Sequence, residues 1–168
     1  NTPGGNTNAT AEHTLSLLMS LYRNIPEANF GTHKGLWEKK KFKGLELKGK
    51  KLGIIGFGNV GKRFSEIAIA LGMSVSVYSE SFKSRKNDFP EINEITMNDL
   101  ILNSDIISFH CKPPKDGKAI ITQNELQMMK KNTVIINTAR GNLIIEKDLL
   151  ILTLLNLLFL NLRAYPKD

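Results

Sequence analysis

A short apolar run, Lys51-Leu-Gly-Ile-Ile55, breaks directly into Gly56-Phe-Gly58-Asn-Val-Gly61 and then into a helical pattern. Three positions without side chains at that spacing leave few folds open. The first glycine can make the tight turn out of a strand. The second lets main chain approach a ligand, and the third lets the helix lie close on the strand. The free N–H groups at the helix start, with the positive end of its dipole, then face whatever sits at the bend. Between strand and helix the pattern points to a dinucleotide pyrophosphate. Taken alone, the glycines are equally consistent with a plain tight turn.

The flanking pattern supplies the strand and the helix. Leu15, Leu18, Met19, Tyr22 and Ile25 form a helical stripe over residues 10–25, and Pro26 fits a stop soon after. Residues 27–49 read as an irregular arm carrying Phe30, Trp37 and Phe42. Residues 51–55 read as a buried strand. Residues 59–71 read as a helix with Val60, Phe64, Ile67, Ala68 and Leu71 on one face, closed by Gly72. Residues 74–78 read as a second strand, and 79–95 as a polar loop with a short helical turn. Thr96 to Asp99 resembles a capping box before a short helix, and Thr122 to Glu125 is a better one. "DIISFH" and "TVIINT" supply the third and fourth strands. Strands alternating with helices require crossover connections. The expected class is therefore α/β: a doubly wound, mostly parallel sheet with an N-terminal linking helix and arm. The expected organisation is residues 1–50 as linking helix and arm, 51–148 as the dinucleotide-binding domain, and 149–168 as a divergent or truncated segment.

Composition narrows the partners. The 168 residues are 41% hydrophobic and 23% charged, as in a soluble globular domain of ordinary size. The formal charge is +7, and much of it lies in residues 39–51. One phenylalanine among those lysines is thin evidence for base stacking, and no nucleic-acid motif accompanies it, so no nucleic-acid partner is expected. Cys111 is the single cysteine. That leaves these residues without an internal disulfide and fits a reducing, cytoplasmic setting. The leucine-rich stretch after residue 149 is shorter than the roughly 18–20 apolar residues of a membrane span, and asparagines interrupt it. No membrane partner is expected, and no metal. The opening "NTPGGNTNAT" reads like the middle of a protein rather than a targeting leader, which suggests a fragment.

Two further stretches bear on chemistry. The dinucleotide pattern expects an acid about 20 residues on, at the end of the second strand, to hold the ribose hydroxyls. Here Tyr78 is followed by Ser79, and the acid arrives one place later as Glu80. Glu80 reaching the ribose would mean NAD. Ser79 leaving room for a 2′-phosphate, paired by Lys83, Arg85 or Lys86, would mean NADP. NAD is the first expectation and NADP the alternative. The fourth strand ends at Asn137 and is followed by Thr138-Ala139-Arg140-Gly141. Ligands of open α/β sheets bind beyond such ends, and an arginine there offers a fork of donors matched to a carboxylate. From spacing alone, a surface arginine is an equal alternative.

The stretches "TAEHTLSLLMSLYRNIPEAN", "HKGLW", "LKGKKLGIIGFGNVGKRF", "ALGMSVSVY", "SDIISFHCKPP" and "MMKKNTVIINTARGNLIIEKDLL" together resemble the D-isomer-specific 2-hydroxyacid dehydrogenases, most closely the D-3-phosphoglycerate dehydrogenases. The resemblance runs over about residues 6–150. It implies a Rossmann-like nucleotide-binding domain inserted into a substrate domain, most of which would lie outside these residues. It implies hydride transfer between C2 of a small 2-hydroxy acid and a nicotinamide. Arg140 would hold the substrate carboxylate and polarise the C2 oxygen. Gly56, Gly58, Asn59, Val60 and Gly61 match the pyrophosphate turn, and Ser79 stands where most members carry aspartate. His110, Cys111 and Pro113 match the segment on the adenosine side of the cofactor; Thr138, Ala139 and Arg140 match the segment beside the nicotinamide. The family's catalytic glutamate and histidine fall outside the match. His13 looks structural or dimer-facing, His33 sits in the arm, and His110 matches a cofactor-lining position. The linking helix and the arm with Trp37 correspond to the family's subunit interface, which implies a homodimer.

After residue 150 the pattern breaks. The family's glycine turn and its strand with an aspartate are replaced by leucines, with Arg163 or Ala164 where the aspartate should stand. The stretch 149–162 reads as a covered helix or an exposed apolar liability.

Overall fold

A computed structural model describes residues 4–145 and the strand Leu158–Asn161. Its centre is β1 (Lys51–Ile55), buried at every position after Lys51. β2 (Ser74–Tyr78) pairs on one side of β1 and β4 (Ile106–Phe109) on the other. β3 (Asn93–Glu94) extends the sheet beyond β2, while β5 (Val134–Asn137) and β6 (Leu158–Asn161) extend it beyond β4. All five pairings are parallel and the order is β3-β2-β1-β4-β5-β6. The α/β doubly wound class expected from the alternation is the fold.

Apolar residues alternate between the two faces of the sheet. Ile54, Ile106 and Ile136 enter one core with Phe64 and Leu18; Ile55, Ile107 and Ile135 enter the other with Leu100 and Leu126. A sheet covered on both faces explains why these strands read as unbroken apolar runs. The first core is closed by α1 (Thr7–Tyr22) and α3 (Asn59–Ala70), the second by α4 (Met97–Asn103) and α5 (Gln123–Met128). Both predicted caps form. The Thr96 hydroxyl accepts from the Asp99 N–H, and Thr122 with Glu125 makes a reciprocal capping box.

The N-terminal region departs from expectation. α1 ends at Tyr22, and Asn24 takes a left-handed conformation with φ 52°. The chain then restarts as α2 (Ile25–His33), with Pro26 in its first turn. Proline lacks only an N–H that the first turn leaves unpaired anyway, so Pro26 opens a helix there rather than merely ending one. Part of the arm is therefore helical. The buried face of α1 is Ala11, Thr14, Leu18 and Tyr22, not the full leucine and methionine stripe, and Ile25 is exposed. That face packs inside this chain, on α3 and β5. Leu71, expected on the buried face of α3, is exposed as well.

The polar loop after β2 holds a 3-10 turn at Lys83–Asp88 and the two-residue strand β3, too short to show a period. At the other edge, β6 replaces the helix that was one of the two readings of the leucine-rich stretch, over Leu158–Asn161. Short apolar runs do not distinguish strand from helix, and here the free edge of β5 supplies the partner. The remainder of that stretch, with Arg163 and Ala164, lies outside the described residues.

Candidate functional site

The register sets four strand ends level. Ile55 lies beside both Tyr78 and Phe109, and Phe109 lies beside Asn137. The next residues, Gly56, Ser79, His110 and Thr138, therefore leave the sheet in one row at its carboxyl edge. Between β1 and β4 the crossovers change side, and that is where such sheets open a crevice.

The glycine bend sits at this point. The Gly56 N–H donates to the Tyr78 carbonyl at 3.0 Å, and the His110 N–H donates to the Ile55 carbonyl at 2.8 Å. Gly56 has φ 96°, and a Cβ there would lie 2.7 Å from the Cys111 Cβ and 2.8 Å from its main-chain nitrogen. A Cβ on Gly61 would collide with the Gly56 carbonyl oxygen. These two glycines are demanded by packing. Gly58 differs: a Cβ there would meet nothing within 4 Å. Gly58 is also the N-cap of α3, and no side chain caps that end. A methyl group at Gly58 would thus project into open space at the start of α3. Bare main chain around an open mouth fits a dinucleotide pyrophosphate.

Two adjoining cavities run from this bend along the carboxyl edge. One, of about 1080 Å3 including its open mouth, is lined by Asn6, Thr10, Val60, His110, Thr138 and Arg140 among others. The other carries Gly56, Tyr78, Ser79, Glu80 and Ser81. Cys111, Lys112 and Pro113 line both and join them. Ser79 and Arg140 therefore stand at opposite ends of one crevice, with the glycine bend between them. Asn59 is the first residue of α3, and Ala139 lines the Arg140 end.

The Arg140 loop is pinned by a residue that the sequence reading passed over. Asn137 is buried, its Oδ1 accepts from the N–H groups of Ala139 at 3.0 Å and Arg140 at 3.3 Å, and its Nδ2 donates to the Arg140 carbonyl at 2.8 Å. An asparagine closing a strand just before a functional loop is an Asx-turn signal that was available. The Arg140 guanidinium is exposed and donates to the Ala139 carbonyl at 2.8 Å. Thr14, buried on α1, is a second omission. Its hydroxyl donates to the Thr10 carbonyl at 2.8 Å, so it must accept from the Thr138 hydroxyl 2.9 Å away. Thr138 itself lines the crevice. A lone threonine on an apolar stripe is a weak signal for such a bridge.

His110 and Cys111 line the crevice without the properties of catalytic groups. The His110 Nε2 lies 2.9 Å from the Ser108 hydroxyl, and the ring packs 5.5 Å from Phe64. Burial pushes its pKa down to about 4, so the imidazole is neutral near pH 7. Burial also pushes the Cys111 thiol up, away from thiolate chemistry. His13 and His33 are exposed on α1 and α2 and line no part of the crevice. Among the described residues no group of three or more histidines, cysteines or carboxylates could hold a metal ion, and no helix is long and apolar enough to cross a membrane.

The depressed His110 pKa has a measurable consequence. Below the ordinary imidazole value of 6.5 the unfolded chain takes up the proton first, so stability falls as pH drops from 6.5 and levels off below about 4. The full gap corresponds to at most about 3 kcal/mol. Carboxylates titrate mainly below this window. Urea midpoints are expected to fall between pH 7 and pH 5, and His110→Gln should flatten that slope. A wild-type midpoint unchanged over the range would contradict the assignment.

Comparison with known proteins agrees with this geometry. The sequence model of the D-isomer specific 2-hydroxyacid dehydrogenase NAD binding domain matches residues 15–154. D-3-phosphoglycerate dehydrogenase of Archaeoglobus fulgidus is 35% identical over 149 residues, covering 89% of this chain and 28% of that protein. Hydroxypyruvate reductase of Thermotoga maritima is 37% identical over 149 residues, covering 89% of this chain and 48% of that protein. An acyclic imino acid reductase (Bsp5), solved in complex with NADPH and D-Arg, superposes with a TM-score of 0.83 at 33% identity, covering 97% of this chain and 53% of that one. The chain thus spans less than half the length of these two curated relatives. It belongs to the D-isomer-specific 2-hydroxyacid dehydrogenase family, as that family's NAD-binding domain.

Proposed function

We propose that the crevice binds a nicotinamide dinucleotide across the glycine bend, and that Arg140 holds the carboxylate of a D-2-hydroxy acid or its keto form. The observation that carries this is Gly58, whose missing side chain opens the only one of the three glycine positions not filled by packing. The bound nicotinamide supplies the hydride donor or acceptor at C2 of the substrate. Arg140 supplies charge and a fork of N–H donors, which orient the carboxylate and polarise the C2 oxygen. The Asn137 turn keeps that loop in place, and the Thr138 hydroxyl offers an acceptor to the nicotinamide half. The proposed substrate is D-3-phosphoglycerate. The T. maritima relative favours a second reading, hydroxypyruvate reduction by the same groups.

In this reading none of the three histidines is the acid–base group: His13 and His33 line no part of the crevice, and His110 has its Nε2 against Ser108 and its pKa held down by burial. The 168 residues alone are therefore expected to bind nucleotide without steady turnover. Titration with NADH and NADPH tests the first half of the proposal: no change in fluorescence or melting temperature with either nucleotide refutes it. Steady turnover by these residues alone refutes the second.

The proposed partner is a second copy of the chain. Trp37 is 85% exposed beside Leu36 and Phe42 on the arm, and Phe30 on α2 is 62% exposed. Single exposed apolar residues are ordinary, but a cluster of this kind marks a contact surface. Sedimentation is expected to show a dimer that Trp37→Glu splits; a wild-type monomer at tens of micromolar would exclude it.

A further inference from the structure

Building on the dinucleotide proposal, we infer that Arg85 is a positioning residue for the glycine bend: it holds the Phe57–Gly58 peptide so that the Gly58 N–H stays free for the pyrophosphate, without itself touching the nucleotide. The need for such an anchor follows from the glycine. Turning a peptide plane over changes only ψ of the residue before it and φ of the residue after it, and glycine accepts either sign of φ. The peptide that enters Gly58 is therefore free to turn unless a group outside the bend takes hold of it.

The loop after β2 supplies that hold. The Phe57 side chain is buried, with its ring 4.8 Å from that of Phe82 and 5.1 Å from that of Phe89, both edge-to-face. Those two phenylalanines flank the 3-10 turn Lys83–Asp88, so the turn is packed onto the bend at both ends. From its middle Arg85 reaches back. Its Nη2 donates to the Phe57 carbonyl, and the guanidinium lies 5.5 Å from the centre of the Phe57 ring. Ser81 steadies the head: its carbonyl accepts from Nε at 3.4 Å, and its hydroxyl lies 3.5 Å from Nη2. Among the described residues no carboxylate forms an ion pair with Arg85, so none draws the guanidinium off the carbonyl.

A trans peptide carries its C=O and N–H on opposite sides. With the Phe57 carbonyl turned to Arg85, the Gly58 N–H must point away from it. Among the described residues no protein group accepts from that N–H. An amide already fixed and without a partner binds an anion at little further ordering cost, whereas a peptide that spends part of its time turned over binds more weakly in proportion. Arg85 lines neither of the two crevice cavities, so its effect on a bound nucleotide must pass through this peptide.

Calorimetric titration of the 168-residue chain with ADP-ribose, NADH and NADPH tests the inference. Arg85→Met keeps an apolar stem over Phe57 and removes every side-chain donor. It is expected to weaken all three ligands by the same factor, about 10-fold. In a Gly58→Ala background the same change should weaken them by less than about 2-fold, because the peptide it releases no longer meets the pyrophosphate. In the wild type, the Gly58 amide resonance is expected to move when ADP-ribose is added, a readout that needs no variant to fold. Wild-type affinity in folded Arg85→Met overturns the inference and leaves the dinucleotide site standing. A loss confined to NADPH does the same, since Arg85 would then meet the extra phosphate directly, and so do additive losses in the double variant. A Gly58 amide unmoved by bound ADP-ribose overturns it as well. Binding of none of the three ligands to the wild type removes the inference together with the proposed function.

Discussion

Gly56→Ala is expected to cost about 2–4 kcal/mol of folding stability, and Gly58→Ala less than about 0.5 kcal/mol, although only one residue separates them. At Gly56 two penalties combine. The conformation at φ 96° disfavours a side chain, and the new Cβ would press on the main chain of His110 and Cys111. Main chain on a neighbouring strand end cannot move aside as a flexible side-chain tip can. At Gly58 the angles are φ −78° and ψ −166°, open to any residue, and nothing lies within 4 Å of the added methyl. That methyl would instead occupy the approach of the proposed pyrophosphate. Nucleotide affinity is therefore expected to fall at least 10-fold in Gly58→Ala at near-unchanged urea midpoint. Wild-type affinity in that variant would move the pyrophosphate away from the bend. A wild-type midpoint in Gly56→Ala would mean that the strand ends yield more readily than their packing implies.

Arg140→Ala, made with a substrate domain supplied on both flanks of these residues, is expected to lower kcat/KM for a D-2-hydroxy acid about 10²–10⁴-fold. Losing one donor at a developing oxyanion costs about 10²–10³, and losing a charge-assisted carboxylate contact adds to it. Both kcat and KM should worsen, since in the proposed role the same group binds the carboxylate and polarises the C2 oxygen. Arg140→Lys should recover only part of the rate, because an ammonium keeps the charge without the fork. The guanidinium is now folded onto its own Ala139 carbonyl, a single exposed hydrogen bond that it can give up on reaching for substrate at little cost. A loss under about 10-fold would remove Arg140 from this role. A longer protein that binds nucleotide but reduces no 2-keto acid would be a dinucleotide sensor, built on the same fold without its chemistry.

Several elements were legible because their signals are local. β1 and β2 begin and end at the expected residues, since short apolar runs meet a glycine or a polar residue at each end. The capping pairs at Thr96 and Thr122 are written within four residues of chain. The failures share a cause as well. Pro26 was read as a stop because its two roles, closing one helix and opening the next, look alike without the backbone angle at Asn24. β6 was unreadable as a strand because leucine runs suit helix and strand alike, and only the waiting edge of β5 decides between them. Asn137 and Thr14 were missed because each acts through a contact rather than a pattern.

The amino-acid order by itself determined the alternation of strand and helix, the parallel sheet that alternation requires, and the three-glycine bend at residues 56–61. Those follow from side-chain periodicity and from backbone angles that only glycine adopts freely. Tertiary structure alone decided the level row of strand ends, the hydroxyl bridge between Thr14 and Thr138 across 124 residues, and the seating of Arg85 on the Phe57 carbonyl. Each of those joins groups remote along the chain. A period tells a residue which way to face, but not which distant partner will be there to meet it.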